Sequence, residues 1–299
     1  MSSIGWLLYN KEDLNRNREF VNWFLEEAKE LKINLKLIVK EDLSFGVKDN
    51  MLSLTYKDES INPPVFAVVR NIDSLLSTQL ELMGTKVFNN SSISFICNNK
   101  ARTHQYLAGM GIPMMDTYFF KKRELINSGF TEFYPAVVKA AGGRGGSEVF
   151  KVFDEKELIG VLNKINDENV VVQRLCSNPG KDLRVFVVGN KIIAAILRYS
   201  DKSFKANFSL GGKARLYELN EKEKELIHKI INKFNTGFAG IDFIFDKDNN
   251  LIFNEIEDVV GSRTLSANSD INIVRIYLEF IKDEIVRFQS PDKNKKTVR

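Results

Sequence analysis

Three carboxylates stand out for what they could do together. Asp242 lies in one apolar run, residues 237–246, and Glu255 and Glu257 lie in another, residues 251–257, with Lys247 to Asn250 between them. The pattern predicts a β-hairpin. Strand side chains alternate faces, so Glu255 and Glu257 project to one side and Ile256 to the other, and Asp242 on the partner strand can share the acidic face. Three acids so placed in an apolar sheet repel one another, and one would protonate unless a cation were present. A hard divalent ion resolves this, magnesium carrying phosphate oxygens being the usual case. The bland reading, an edge hairpin with solvated acids, is weakened by the strongly apolar flanks.

A second stretch could bind the phosphates. The run 134–139 is rich in β-branched residues and ends in Lys139; Gly142, Gly143, Arg144, Gly145 and Gly146 follow, and residues 148–152 return as a second β-rich run. This predicts a hairpin with a glycine-rich tip. Successive exposed N–H groups in such a turn form a concave anion site. A Walker loop has its lysine after the glycines and then a helix, and a dinucleotide fingerprint needs glycines between strand and helix. Neither fits. On this motif alone, a flexible tip with a solvated arginine remains open.

The surrounding chain supplies elements to position these residues. In residues 1–99 strand and helix patterns alternate: 4–9 and 35–39 read as strands, 17–30 as a helix, and 65–69 as a buried strand with Arg70 at its carboxyl end. Ligands gather at that edge of parallel sheets, so Arg70 is a candidate for a substrate carboxylate or phosphate, beside the equally open reading of an internal salt bridge. Lys100 opens a helix that ends near Gly109, 114–120 is extended, 121–127 and 154–165 read as helices, and 170–173 is a strand. Residues 182–190 and 191–198 form a hairpin across a Gly-Asn turn, and 221–234 is a helix capped by Asn220 and Glu223. His104 and His228 read as surface or boundary residues and make no metal cluster.

Composition sets the class. The 299 residues, 43% hydrophobic and 27% charged with a net charge of +4, are those of an ordinary globular protein and give no case for nucleic-acid binding. Two distant cysteines in apolar contexts, Cys97 and Cys176, argue for reduced, buried thiols. Neither a signal peptide nor an apolar run of membrane-spanning length is seen, so the expectation is a cytoplasmic protein with no membrane partner. Residues 290–299 are polar and basic and read as a flexible tail.

In chain order, the ordered set is Lys100, Lys139 before the glycine hairpin, Gln173, Asp182 with Arg184, Arg198, Asn207 before Gly211 and Gly212, Asp242, and Glu255-x-Glu257. This order resembles the ATP-grasp superfamily, specifically the RimK-like carboxylate-amine ligases, over nearly the whole chain. The resemblance implies an α/β (α+β) fold of three parts: a pre-ATP-grasp α/β domain (1–99), a central lid (100–174) and a C-terminal mixed-sheet domain (175–289). It further implies that Lys100, Lys139 and the loop Gly142, Gly143, Arg144, Gly145 and Gly146 meet the phosphates of ATP. Gln173, Arg174 and Leu175 match the strand that meets adenine, and Asp182 a position near the nucleotide. Arg198 and Asn207, with Lys139, match catalytic positions facing phosphate and the reacting carboxylate, and Asp242, Glu255 and Glu257 match the ligands of Mg2+, with Mn2+ as an alternative.

There are departures. Glu257 stands where the family usually has asparagine, Lys205 where arginine is frequent, and residues 258–264 replace a proline-glycine turn, with Arg263 a candidate contact for substrate or phosphate. The activity implied is an ATP-dependent ligase joining a small-molecule or peptide carboxylate to an amine through an acyl phosphate. No enzyme nucleophile is needed, in keeping with the lack of a Ser/His/Asp or Cys/His constellation. The alternative is an ATP-binding protein of this fold that has lost ligation and serves regulation or partner binding. Homo-oligomers are common in such families, and that option is open.

Overall fold

The computed structural model describes residues 4–200 and 212–290. They form two compact units. The first takes in the described residues up to Phe95, Thr236–Phe238 and the chain from Asn272; the second comprises Ile96–Asn235 and Ala239–Ile271.

The first unit holds β1 (Ile4–Tyr9), β2 (Asn34–Val39), β3 (Leu43–Lys48), β4 (Met51–Tyr56), β5 (Glu59–Ser60), β6 (Phe66–Val69) and β7 (Lys86–Phe88). Its main sheet runs β2-β1-β6-β7, all parallel. Such a sheet needs helical cover on its faces. Helices α1 (Lys11–Arg16), α2 (Arg18–Glu30), α3 (Ser74–Leu82) and α4 (Ser91–Cys97) follow β1, β6 and β7. Leu8, Ile38, Ala67, Leu76 and Leu80 close one core. The antiparallel sheet β3-β4-β5 goes beyond the elements expected from periodicity; Asp49 and Asn50 (φ 51° and 60°) turn β3 into β4.

The second unit begins with α5 (Lys100–Leu107), β8 (Thr117–Lys121), α6 (Lys122–Asn127), β9 (Ala136–Ala140), β10 (Val149–Val152), α7 (Glu155–Leu162) and β11 (Asn169–Arg174). These strands make an antiparallel sheet in the order β10-β9-β11-β8. Val138, Val170 and Val172 face Leu158 and Leu162 of α7 and Phe130 and Phe133 before β9. The chain then adds β12 (Lys181–Val188), β13 (Lys191–Tyr199), β14 (Lys213–Leu216), α8 (Glu221–Lys233), β15 (Phe238–Phe245), β16 (Leu251–Glu257) and α9 (Arg263–Ser266). Their sheet runs β14-β13-β12-β15-β16. Asn220 and Glu223 form the expected capping box of α8.

The last helix, α10 (Ile273–Gln289), was not expected and belongs to the first unit. Asn272 caps it and reaches Glu27 of α2 at 2.6 Å, Arg275 pairs with the same carboxylate at 3.1 Å, and Tyr277 meets Phe24 edge-on. The mixed α/β architecture agrees with the expected fold class. No described helix is long and apolar enough to cross a membrane.

Candidate active site

Most of the residues singled out for chemistry, though not Glu257, line one cavity of the second unit, about 830 Å³ with its open mouth included. Cross-strand register does much of the placing. Asp242 on β15 stands opposite Glu255 on β16, and Asp182 on β12 opposite Arg198 on β13. One oxygen from each of Asp242, Glu255 and Glu257 lies within 4.8 Å of the others. The donor set is all carboxylate, which suits a hard divalent ion.

Each acid already has a cation. Arg184 grips Asp242 with two bonds, Nε to Oδ1 at 2.7 Å and Nη2 to Oδ2 at 2.6 Å, and reaches Glu257 at 2.9 Å. Arg198 Nη2 donates to Asp242 at 2.9 Å and its Nε to Asp182 at 2.5 Å, and Lys100 pairs with Glu255 at 2.9 Å. Burial opposes the charge on Asp242, yet the two guanidiniums hold its carboxyl down to about 2. At Asp182 burial outweighs the Arg198 guanidinium and, with the nearby Asp242 carboxylate, pushes its carboxyl up. Burial likewise opposes Glu255, but Lys100 beside it keeps the carboxyl below the usual range.

Lys139 faces the same cavity from β9. Its Nζ donates to Gln173 Oε1 at 2.7 Å and Asn254 Oδ1 at 2.8 Å, and burial lowers its ammonium to about 8 against the pull of Glu255. Lys100 Nζ also reaches Gly143 O at 2.5 Å, and so ties α5 to the glycine tip. Within the tip Gly145 and Gly146 take φ of 65° and 77°, the left-handed region that glycine occupies without strain. A Cβ at Gly143 would come within 2.8 Å of the Ala140 Cβ, so the turn there needs a bare backbone.

Of the expected residues, Lys100, Lys139, Gly143, Gly145, Gly146, Gln173, Arg174, Leu175, Asp182, Arg198, Asp242 and Glu255 line the cavity. Gly142 is exposed and outside the lining, its N–H donating to Asp167 Oδ2 at 2.7 Å. Arg144 is exposed, outside the lining, and donates to Val259 O at 3.0 Å. Arg263 is exposed at the start of α9, outside the lining. Arg70 belongs to the first unit, buried at the carboxyl end of β6 between the rings of Phe20 and Phe238 and 3.4 Å from the Tyr9 hydroxyl. Lys205 and Asn207 lie outside the described residues.

Two site residues had no expected role. Arg184 shares its strand face with Asp182, and the period-2 rule would have found it. Asn254 is the extra residue of a β-bulge, because Asp242 pairs with Glu255 while Phe243 pairs with Phe253. Simple alternation would turn Asn254 away from the acids; the bulge re-aims it at Lys139. Two readings are corrected. His104 is 4% exposed, inside the unit rather than at its boundary, and Cys176 is half-buried on the cavity wall rather than in a core. Cys97 is buried, with its thiol pushed far up by desolvation.

Residues 97–281 match the RimK-like ATP-grasp domain. The chain belongs to the RimK-like ATP-grasp family. It is similar to β-citrylglutamate synthase B of Danio rerio, 28% identical over 272 residues, covering 86% of this chain and 67% of that one. Human N-acetylaspartylglutamate synthase A is 30% identical over 244 residues, 79% of this chain and 62% of its own length. Among solved structures, the ATP-grasp ligase PsnB, complexed with a phosphomimetic variant of its minimal precursor, Mg and ADP, superposes over 97% of this chain and 99% of its own with TM-score 0.67 at 15% identity. This family of carboxylate-amine ligases places the chain among C–N ligases.

Proposed function

We propose that the protein joins a carboxylate to an amine by way of an acyl phosphate, with ATP converted to ADP and phosphate. The observation that carries this reading is that Lys100, Lys139 and the bare backbone of Gly143, Gly145 and Gly146 line one cavity together with Asp182, Arg198, Asp242 and Glu255. Four acids (Asp182, Asp242, Glu255, Glu257) stand against four cations (Lys100, Lys139, Arg184, Arg198), so the site is close to neutral as it stands. A nucleotide alone would load that balanced site with negative charge, and a divalent ion bound with it offsets part of that load.

Asp242, Glu255 and Glu257 would hold magnesium, which supplies Lewis-acid charge to phosphate oxygens when bound. Lys100 and Lys139 meet the phosphates, and Arg198 faces the carboxylate as it attacks the γ-phosphorus, where it offsets the charge that develops. The glycine tip closes over the phosphates and keeps water from the acyl phosphate, which the amine then attacks. The backbone of Gln173 to Leu175 meets the adenine. Arg70 is assigned to a substrate carboxylate, since it stands where ligands gather on a parallel sheet. The relatives' names point to a small polycarboxylic or N-acylated acid and an amino acid as the first pairs to try.

The test is phosphate release from Mg-ATP against a panel of such acids, amino acids and short peptides. Stimulation that requires both a carboxylate and an amine supports ligation; nucleotide binding without any stimulated turnover across the panel would favour a binding protein. Cys176 supplies an independent readout. It lines the cavity half-buried, with burial holding its thiol above the ordinary range, while Cys97 is fully buried, so Mg-ATP is expected to slow the alkylation of Cys176 at alkaline pH by about ten-fold or more, followed by intact mass. Unchanged labelling at saturating nucleotide would place ATP elsewhere.

Glu257 adds a negative charge at a position where the family resemblance implies a neutral amide. Glu257→Asn is expected to weaken binding of Mn2+ in the presence of nucleotide by about five-fold, roughly 1 kcal/mol, because ligand charge sets the affinity of such sites. Titration by electron paramagnetic resonance reads this directly. Equal affinity in the two proteins would remove Glu257 from the ligand set.

A further inference from the structure

Behind Lys139 lies a chain of hydrogen bonds whose directions are all determined. His104 Nδ1 is 2.8 Å from Lys100 O, a carbonyl that can only accept, so Nδ1 carries the proton and Nε2 keeps its lone pair. Thr117 Oγ1 donates to Met115 O at 2.7 Å, which leaves that hydroxyl as an acceptor as well. The amide nitrogen of Gln173 faces both acceptors, Thr117 Oγ1 at 3.1 Å and His104 Nε2 at a longer 3.4 Å. Its oxygen is thereby turned to Lys139 Nζ. The reversed amide would set N–H groups against an ammonium and an oxygen against two lone pairs. With Asn254 taking a second proton of Lys139, one N–H of the ammonium remains to point into the cavity.

We propose that His104 is a positioning residue: as a neutral acceptor it fixes the amide of Gln173, which holds Lys139 where the phosphates of the nucleotide arrive. Nothing in the chemistry attributed to the cavity uses this histidine, and it reaches the nucleotide only through two other side chains. Burial keeps the imidazole uncharged, lowering its pKa to about 4 against the hydrogen bond to Lys100 O and the pull of Glu255, with help from the nearby charges of Lys139 and Lys100. The ring is fixed further by Phe253, its centroid 5.3 Å away. Lys100 O is also the natural acceptor for the backbone N–H of His104, so that carbonyl keeps a partner when the Nδ1–H is lost. The acceptor at Nε2 is what the position supplies.

The inference rests on Lys139 being a phosphate contact, and the experiment separates the two. Affinity for a non-hydrolysable ATP analogue with magnesium is measured by calorimetry for wild type, His104→Leu, His104→Gln, Lys139→Ala and the double variant His104→Leu/Lys139→Ala. His104→Leu removes the acceptor and should weaken binding about five-fold, the size of one hydrogen bond. His104→Gln retains an oxygen that can reach the Gln173 amide and should bind within about two-fold of wild type. The double variant should bind like Lys139→Ala alone, because the histidine acts through the lysine. Additive losses in the double variant, or a Gln variant as weak as the Leu variant, would overturn the proposal. Should His104→Leu lower the melting temperature markedly, Thr117→Val removes the other acceptor without opening a cavity, and the same lack of additivity with Lys139→Ala is expected. If Lys139→Ala itself binds normally, it is the phosphate reading of the lysine that fails.

Discussion

Lys139→Ala should lower phosphate release stimulated by a carboxylate and an amine by about 100-fold or more, with the fold intact. The size follows from what the lysine is placed to do. It is a buried cation facing the cavity, on the proposed reading a donor to the phosphates, and removal of one preorganised donor to developing charge typically loses that much. Lys139→Arg should not restore activity, because the ammonium fits between Gln173 and Asn254 at 2.7 and 2.8 Å and a planar guanidinium fork is a different shape. The same residue gives a pH dependence with a definite sign. Burial, with Lys100 close by, lowers the ammonium of the free protein to about 8 in spite of Glu255, so its charge is present below that pH and lost above it. Nucleotide affinity in wild type should therefore fall as pH rises through about 8, and the Ala variant should lack that step. Initial rates and calorimetry across pH 6.5 to 9.5 decide it. Turnover near wild type in Lys139→Ala would take the lysine out of the mechanism.

How much of this was legible depends on the range of the forces involved. The hairpins carrying Lys139, Asp182 and Asp242 are set by local alternation and turn residues, and their register alone brings Asp182 to Arg198 and Asp242 to Glu255. The helix 221–233 announces itself by its capping box. Asn254 was hidden because a bulge breaks the alternation that any reading of a strand must assume. His104 was hidden for a different reason. Its helix packs on β16 and β11, so a residue that looks peripheral on α5 is buried by strands distant in sequence. The three acids do stand together, one oxygen of each within 4.8 Å of the others, and protein cations supply opposite charge to them, with Arg184 making the largest share of those contacts.

Arg184→Met should accordingly be the most destabilising single change at the site. The guanidinium is buried, bonded twice to Asp242 and once to Glu257, and its removal leaves two carboxylates in a poorly solvated pocket with Arg198 as the remaining guanidinium on Asp242. Breaking a buried pair by deleting one partner costs about 3–5 kcal/mol, which for a unit of this size lowers the melting temperature by roughly 10 °C. Glu257→Gln in the same chain removes one of the stranded charges and should recover part of the loss, a sign opposite to simple additivity. The pH dependence distinguishes charge from packing. In wild type the carboxyl of Asp242 is held at about 2, below its ordinary 3.8, so its contribution is present above the ordinary value and disappears as pH falls toward about 2. Without Arg184 that carboxyl rises, and mild acid neutralises it. The gap between variant and wild type should therefore narrow between pH 7 and pH 5. A gap that stays constant over that range would mean that Arg184 stabilises the unit by filling space rather than by matching charge.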